Sequence, residues 1–142
     1  MYFSTNMEPM RKALFAAGMA ALASATACER TEKPPMQITA QEAYGLLSND
    51  FAVLTDVREP AELGSGMAAP ARWLAMSKIE ANDAEWKRMM DGISKDKQVV
   101  FYGLKGGRAA RAAEKAAKLG FRAASFDAFE EWKRAGLPVK RP

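Results

Sequence analysis

Residues Val99 to Ala109 of the chain read VVFYGLKGGRA. The run Val99–Tyr102 is short and apolar, which is typical of a buried strand. Three glycines among the next five residues indicate a turn, and the alanine-rich stretch from Ala109 to Leu119 predicts a helix. A turn that enters a helix in this way directs backbone N–H groups and the positive end of the helix dipole toward one point. The stretch therefore predicts an anion-binding loop between a buried strand and a helix.

The predicted loop consists of Gly103, Leu104, Lys105, Gly106, Gly107, Arg108 and Ala109. Gly106 and Gly107 allow positive φ angles and a close approach of a ligand to the backbone. Arg108 offers a fork of donors to an anion, and Lys105 adds long-range attraction. The alternative is a purely structural loop, in which Arg108 binds the protein's own carboxylates or carbonyls and the glycines only permit the turn.

The rest of the chain alternates between apolar runs and helical patterns. Thr39 and Glu42 have the spacing of a capping box, which predicts a helix that continues to about Leu47. Further helices are predicted at 84–90, 109–119 and 129–135, and strands at 51–55, 72–74, 98–102 and 123–126. This alternation predicts an α/β sandwich around a mostly parallel sheet, with Trp73, Trp86 and Trp132 in the core.

The composition excludes several kinds of site. The chain has 142 residues, of which 49% are hydrophobic, enough for the core of one domain. It contains no histidine and one cysteine, so a histidine-based triad, a zinc site of Cys/His ligands and an intramolecular disulfide are excluded. No metal ion and no cofactor is expected. The net charge of +4 comes from interleaved basic and acidic residues, which argues against a nucleic-acid partner.

The N-terminal residues have the pattern of an export signal. Arg11 and Lys12 precede the apolar run Ala13–Ala23, which is shorter than the roughly twenty residues of a membrane-spanning helix. The run leads to the sequence Ala25-Thr26-Ala27-Cys28, which resembles a bacterial lipobox. This resemblance implies that Cys28 is lipid-modified and becomes the mature N-terminus. The alternatives are an ordinary signal peptide cleaved before Cys28, or a leader with an incidental cysteine.

This interpretation divides the chain into a signal peptide (1–27), a lipidated cysteine with a flexible tether (28–36) and one folded domain (37–142). It predicts a periplasmic domain that is held at a bacterial membrane by its N-terminal lipid. Glu29 follows the cysteine where an aspartate signals inner-membrane retention in some bacteria, so the outer membrane is favoured.

Three segments of the chain form a characteristic set: 53–63 with Asp56 and Arg58, the loop from Gly103 to Arg108, and 129–139 with its Trp-x-x-x-Gly-x-Pro pattern. In these segments, residues 37–142 resemble a single rhodanese-like domain. The resemblance implies a three-layer α/β/α sandwich with a mostly parallel five-stranded sheet, in which Asp56 and Arg58 support the active-site loop. Four residues separate Gly103 from Arg108, one fewer than in the protein phosphatases built on this scaffold, so the loop suits a sulfur-sized ligand.

The first loop position departs from that family, whose members carry sulfur there as a cysteine persulfide. Gly103 has no side chain to form a thiolate, so we predict that no catalytic residue stands at this site. The expected function is binding of a small anion, such as thiosulfate or sulfite, or docking of a periplasmic protein. One alternative is a sulfurtransferase-like enzyme in which a partner's thiol or persulfide occupies the vacant Gly103 position. Another is a structural envelope protein that uses only its outer surface.

Overall fold

The computed structural model describes residues 33–142, with Gly106 described only as part of a helix. The predicted signal peptide and Cys28 lie outside the described residues.

Five parallel strands form the central sheet, in the order β1-β6-β5-β2-β4. These strands are β1 (Met36–Gln37), β2 (Ala52–Asp56), β4 (Arg72–Trp73), β5 (Gln98–Gly103) and β6 (Ala123–Ala128). The strands β3 (Met67–Ala68) and β7 (Val139–Lys140) form a separate antiparallel pair. The predicted α/β fold with a mostly parallel five-stranded sheet is confirmed.

The helices are α1 (Ala40–Ser48), α2 (Met76–Glu80), α3 (Ala84–Asp91), α4 (Gly106–Lys118) and α5 (Phe129–Arg134), with a 3₁₀ helix at Pro60–Ser65. The capping box at the start of α1 is present, since the Thr39 hydroxyl accepts from the Glu42 N–H and the Glu42 carboxylate accepts from the Thr39 N–H. The sequence pattern missed β1, β3, β7 and α2, because segments of two to five residues are too short to show a period.

The core has one layer on each face of the sheet, and β5 contributes to both. Val99 and Phe101 pack toward α2, α3 and α4, while Val100 and Tyr102 pack toward α1 and α5. All four side chains are fully buried, as expected for a central parallel strand that is covered on both faces. No helix within residues 33–142 is long and apolar enough to cross a membrane.

The parallel strands give the sheet two chemically different ends. We call the place where β2, β5 and β6 end, at Asp56, Gly103 and Ala128, the carboxyl end of the sheet. The opposite side, where β1, β2, β5 and β6 begin, is the amino end. Ligands of open α/β sheets bind beyond the carboxyl ends of the strands, which is where Gly103 lies.

Candidate functional site

Gly103 is the last residue of β5 and is buried. A Cβ atom built at this position would lie 3.5 Å from Val57 Cγ2, 3.6 Å from the Lys105 carbonyl oxygen and 3.9 Å from Arg108 Cβ. These distances are ordinary van der Waals contacts, and Gly103 does not have a positive φ. The position therefore has room for a small side chain.

The predicted loop is shorter in the structure than in the sequence analysis. Only Leu104 and Lys105 lie outside regular structure, because α4 begins at Gly106, three residues before the predicted start at Ala109. Gly107 lies in the first turn of α4 and does not use the positive φ that a glycine allows. Lys105 makes the turn in an extended conformation (φ −137°, ψ 145°), which needs no left-handed residue.

The start of α4 has positive potential but no side-chain cap. Lys105 precedes the helix and its side chain makes no capping hydrogen bond. The unpaired N–H groups of a first helical turn and the helix dipole together favour an anion. Leu104 is 43% exposed, Lys105 is also exposed, and Ala109 is fully buried in the core. Gly107 is exposed as well and Arg108 is half-buried, so the predicted loop is open to a ligand at Leu104, Lys105 and Gly107.

Asp56 and Arg58 form an ion pair that is fully buried beneath this loop. The Arg58 guanidinium donates from Nη2 to Asp56 Oδ2 at 2.7 Å and from Nε to Asp56 Oδ1 at 3.1 Å. Its remaining N–H groups donate to the carbonyl oxygens of Glu62 (3.0 Å) and Gly66 (2.6 Å). Burial alone would lower the pKa of Arg58, but the hydrogen bonds to Asp56, the negative charge of Asp56 and the contact with Tyr102 together outweigh burial, and the pKa is raised. Arg58 thus fastens the 3₁₀ helix to the end of β2.

Tyr102 joins the same buried network from β5. Its hydroxyl donates to Asp56 Oδ2 at 2.6 Å and accepts from the Ala68 N–H at 2.9 Å. Burial, reinforced by the Asp56 carboxylate, raises the pKa of Tyr102 far above its usual value, so the hydroxyl stays protonated. The ends of β2 and β5 are held together by this contact, one residue before Gly103.

Glu62 holds Arg108. The two guanidinium nitrogens Nη1 and Nη2 of Arg108 donate to Glu62 Oε2 and Oε1, each at 2.6 Å. Glu62 also accepts from the Glu59 backbone N–H at 2.8 Å, which fixes the carboxylate in place. The hydrogen bonds from Arg108 lower the pKa of Glu62 to about 2, and those to Glu62 raise the pKa of Arg108.

This pairing decides what the loop offers to an anion. The bidentate fork of Arg108 is occupied by a carboxylate of the protein itself, and the charges of Arg108 and Glu62 cancel. An anion at Gly103 would therefore meet the uncapped start of α4 and the ammonium group of Lys105. The Arg108 guanidinium is not available to this anion, because it is already bound to Glu62.

Trp73 stands beside this site rather than in the core. Its indole is 41% exposed, in contrast to Trp86 (2%) and Trp132 (0%), for which the core prediction holds. Trp73 Nε1 donates to the Arg58 carbonyl oxygen at 2.9 Å, and the strand register places Trp73 next to Asp56. The prediction that Trp73 is buried was wrong because β4 is the last strand of the sheet, with no neighbouring strand to cover it.

Residues 39–135 match the family model described as a rhodanese-like domain. The chain belongs to the rhodanese-like family. No curated protein matches its sequence.

Solved structures of other proteins have the same fold. A rhodanese-related protein from Thermoplasma volcanium is 26% identical, with a TM-score of 0.62 over 75% of this chain and 99% of that chain. A protein from Rhodopseudomonas palustris, described as a possible tyrosine phosphatase, is 25% identical, with a TM-score of 0.62 over 75% of this chain and 85% of that chain. An anaerobic ergothioneine biosynthesis enzyme from Chlorobium limicola, 21% identical with a TM-score of 0.62, matches 75% of this chain but only 28% of its own chain, and it shows the fold alone.

Glu62 and Tyr102 were not among the predicted site residues, although Glu62 binds Arg108 and Tyr102 binds Asp56 in the structure. A signal for Glu62 was present: Glu59 and Glu62 stand three residues apart around Pro60, which is the spacing of a helix start with a back-bonding carboxylate. No local signal marks Tyr102, since its role depends on the pairing of β5 with β2.

The Glu62–Arg108 ion pair predicts how the free energy of unfolding changes at acid pH. A carboxyl whose pKa in the folded state is lowered contributes stability above its unfolded pKa, and that stability is lost as the pH falls toward its folded pKa. For Glu62 the window runs from 4.5, its ordinary value, down to about 2. Because both side chains are partly exposed, we expect a contribution below ~1 kcal/mol.

Urea unfolding of the wild type and of Glu62→Gln checks this prediction. The free energy of unfolding of the wild type should fall more steeply with acid inside this window, because all other carboxyls are common to both proteins. If the free energy of unfolding changes with pH in the same way in both proteins, then Glu62 is not bound to Arg108 in solution.

Proposed function

We propose that this rhodanese-like protein is a binding module without sulfurtransferase activity, tethered to the periplasmic side of a bacterial membrane through Cys28. The observation that carries the proposal is Gly103, which stands where the family resemblance implies a nucleophilic cysteine. The buried residues around this position form a complete hydrogen-bond network. Asp56, Arg58 and Tyr102 keep the ends of β2 and β5 together beneath Gly103. A site that has this buried network but no thiol cannot form a persulfide, so binding is favoured over covalent sulfur transfer.

Protein docking is favoured over tight binding of a free anion. The Arg108 fork is occupied by Glu62, which leaves backbone N–H groups and Lys105 for an anion. Trp73 and Leu104, in contrast, expose apolar surface at the carboxyl end of the sheet. Aromatic and apolar side chains around a polar centre are typical of protein-recognition surfaces.

An amide-resolved NMR titration of the Cys28→Ser chain with thiosulfate, sulfite and phosphate tests the anion component. We expect weak, saturable shifts confined to the loop from Gly103 to Ala109. Glu62→Gln frees the Arg108 fork and should tighten thiosulfate binding at least about tenfold, since a hydrogen bond to a charged group contributes about 1.5–3 kcal/mol.

The matched control is Glu130→Gln, which removes a carboxylate paired with Lys133 on α5 and should change no affinity. Diffuse shifts that disappear with added salt, in the wild type and in Glu62→Gln alike, would mean that the loop binds no anion. The function would then rest on docking alone.

A sulfurtransferase-like activity that uses a partner's thiol or persulfide is the second candidate. The room around a Cβ at Gly103 favours it, because a small incoming group would meet no atom closer than 3.5 Å at that point. This candidate requires sulfur transfer that depends on Arg108 and on the thiol of the partner.

A further inference from the structure

Apolar side chains are also exposed at the amino end of the sheet, opposite the candidate site. Phe51 is 63% exposed, Met36 60% and Leu119 45%. Met36 begins β1, Phe51 directly precedes β2, and Leu119 follows α4, which returns from the carboxyl end to the amino end. Between Met36 and Phe51 lies an open, mainly apolar groove of about 510 Å³, to which Ile38 and Leu46 also contribute.

These residues belong to one continuous surface. The Gln98 N–H donates to the Phe51 carbonyl oxygen at 2.9 Å, and the Val99 N–H donates to the Arg122 carbonyl oxygen at 2.8 Å. The starts of β2, β5 and β6 are therefore neighbours, and the turn that holds Leu119 lies beside them. We call Met36, Phe51 and Leu119, with the segments 49–51, 95–97 and 118–122, the amino-end surface.

The amino-end surface carries more positive than negative charge. Its three segments contain four basic residues and two acidic ones, a net formal charge of +2: Lys95, Lys97, Lys118 and Arg122 against Asp50 and Asp96. Lys97 pairs with Asp50 at 2.5 Å, and Lys95 donates to the Leu119 carbonyl oxygen at 2.7 Å. The Glu42 carboxylate lies at the groove as well, bonded to the Thr39 N–H and hydroxyl. Exposed apolar side chains flanked by lysine and arginine match the chemistry of an anionic bilayer surface.

The chain itself reaches this surface from the proposed membrane anchor. Cys28 precedes Met36 by eight residues, which span at most about 28 Å when fully extended. Met36, at the amino end of the sheet, is thus held within about 28 Å of Cys28 at any membrane that holds it, whereas Gly103 lies at the other end of β5.

We propose that the amino-end surface rests on an anionic phospholipid bilayer, with Met36, Phe51 and Leu119 at the level of the headgroups and the candidate site directed away from the membrane. This inference rests on the proposed tether for proximity. A basic and apolar contact adds to the membrane affinity that a lipid anchor supplies.

Site-specific fluorescence quenching in vesicles tests the inference. Full chains that carry Phe51→Cys or Leu104→Cys are labelled at the new thiol and placed in vesicles of phosphatidylglycerol and phosphatidylcholine with brominated acyl chains. Leu104 is the matched control, since it is an exposed apolar residue at the carboxyl end. We expect several-fold stronger quenching at position 51 than at position 104. Quenching at 51 should weaken when Met36→Glu is added or phosphatidylglycerol is omitted.

The outcomes separate this inference from the proposed tether. Lipid found on Cys28 by mass spectrometry, with equal or absent quenching at the two positions, would leave the tether standing and overturn the membrane orientation. Without lipid on Cys28 the tether fails, and Cys28→Ser chains added to the same vesicles must still show selective quenching at 51. If sedimentation shows a dimer that Phe51→Glu dissociates, then the amino-end surface binds a second copy of the chain and not a membrane.

Discussion

Gly103→Cys should convert this rhodanese-like protein into a thiosulfate:cyanide sulfurtransferase, whereas the wild type should show no turnover. The backbone at Gly103 accepts a side chain without strain, because its φ is not positive and the atoms nearest to an added Cβ, at 3.5–3.9 Å, are ordinary contacts. A thiol there would lie at the uncapped start of α4, where the helix dipole favours the thiolate. We expect the pKa of the new thiol to fall from about 8.5 to about 7.5 or lower.

The expected reaction has two balanced steps. The introduced thiolate attacks the sulfane sulfur of thiosulfate, the S–S bond breaks, and sulfite leaves with the electron pair. Cyanide then attacks the outer sulfur of the persulfide, which releases thiocyanate and restores the thiolate. Lys105 and the first N–H groups of α4 would attract thiosulfate and stabilise the negative charge that remains on sulfur.

Thiocyanate formation measures the activity, in a Cys28→Ser background so that the new cysteine is the sole thiol. We expect a rate at least about tenfold above the background. Gly103→Ser is the control, since it adds a side chain of nearly the same size without a nucleophilic sulfur. The alkylation rate of the thiol as a function of pH reports its pKa. A pKa near 8.5 with no turnover would show that the site does not provide an electropositive pocket for a thiolate.

Sequence patterns predicted the parts of this fold that are governed by local chemistry. The capping box of α1, the buried strands β2 and β5 and the end of α4 at Gly120, with a φ of +84°, all follow from residues within one segment. The mostly parallel sheet follows from the alternation of these segments. Local chemistry does not reveal β1, β3 or β7, because these two-residue strands are defined by their partners and not by their own sequence.

The candidate site shows the same division. The sequence placed Gly103, Asp56 and Arg58 at the ends of their strands, and they lie together at the carboxyl end of the sheet. It left two roles open for Arg108, and the structure pairs that residue with Glu62, 46 positions earlier in the chain. A contact at that separation depends on how the 3₁₀ helix packs against α4, which no local pattern records.

Arg58→Met should cause the largest loss of stability among single substitutions at the site, about 3–5 kcal/mol. The Asp56 carboxylate is fully buried, and Arg58 is its only cationic partner among the described residues. Its loss also removes the Arg58 donors from the carbonyl oxygens of Glu62 and Gly66. A methionine fills a similar volume against Phe129, whose ring centre lies 4.4 Å from the guanidinium carbon, so the cost comes from the buried charge and not from a cavity.

Chemical denaturation of four variants, Arg58→Met, Asp56→Asn, their double variant and Lys97→Met, separates that charge from the packing. Lys97→Met breaks an ion pair of similar length to an aspartate that is 85% exposed, and it should cost less than about 1 kcal/mol. The double variant Asp56→Asn, Arg58→Met removes both buried charges and should be more stable than Arg58→Met alone, because the uncompensated carboxylate is gone. If the double variant is instead less stable than Arg58→Met by the full cost of Asp56→Asn, then the two side chains contribute independently. The buried pair would then not be the element that holds the 3₁₀ helix, and with it Glu62 and Arg108, at the end of the sheet.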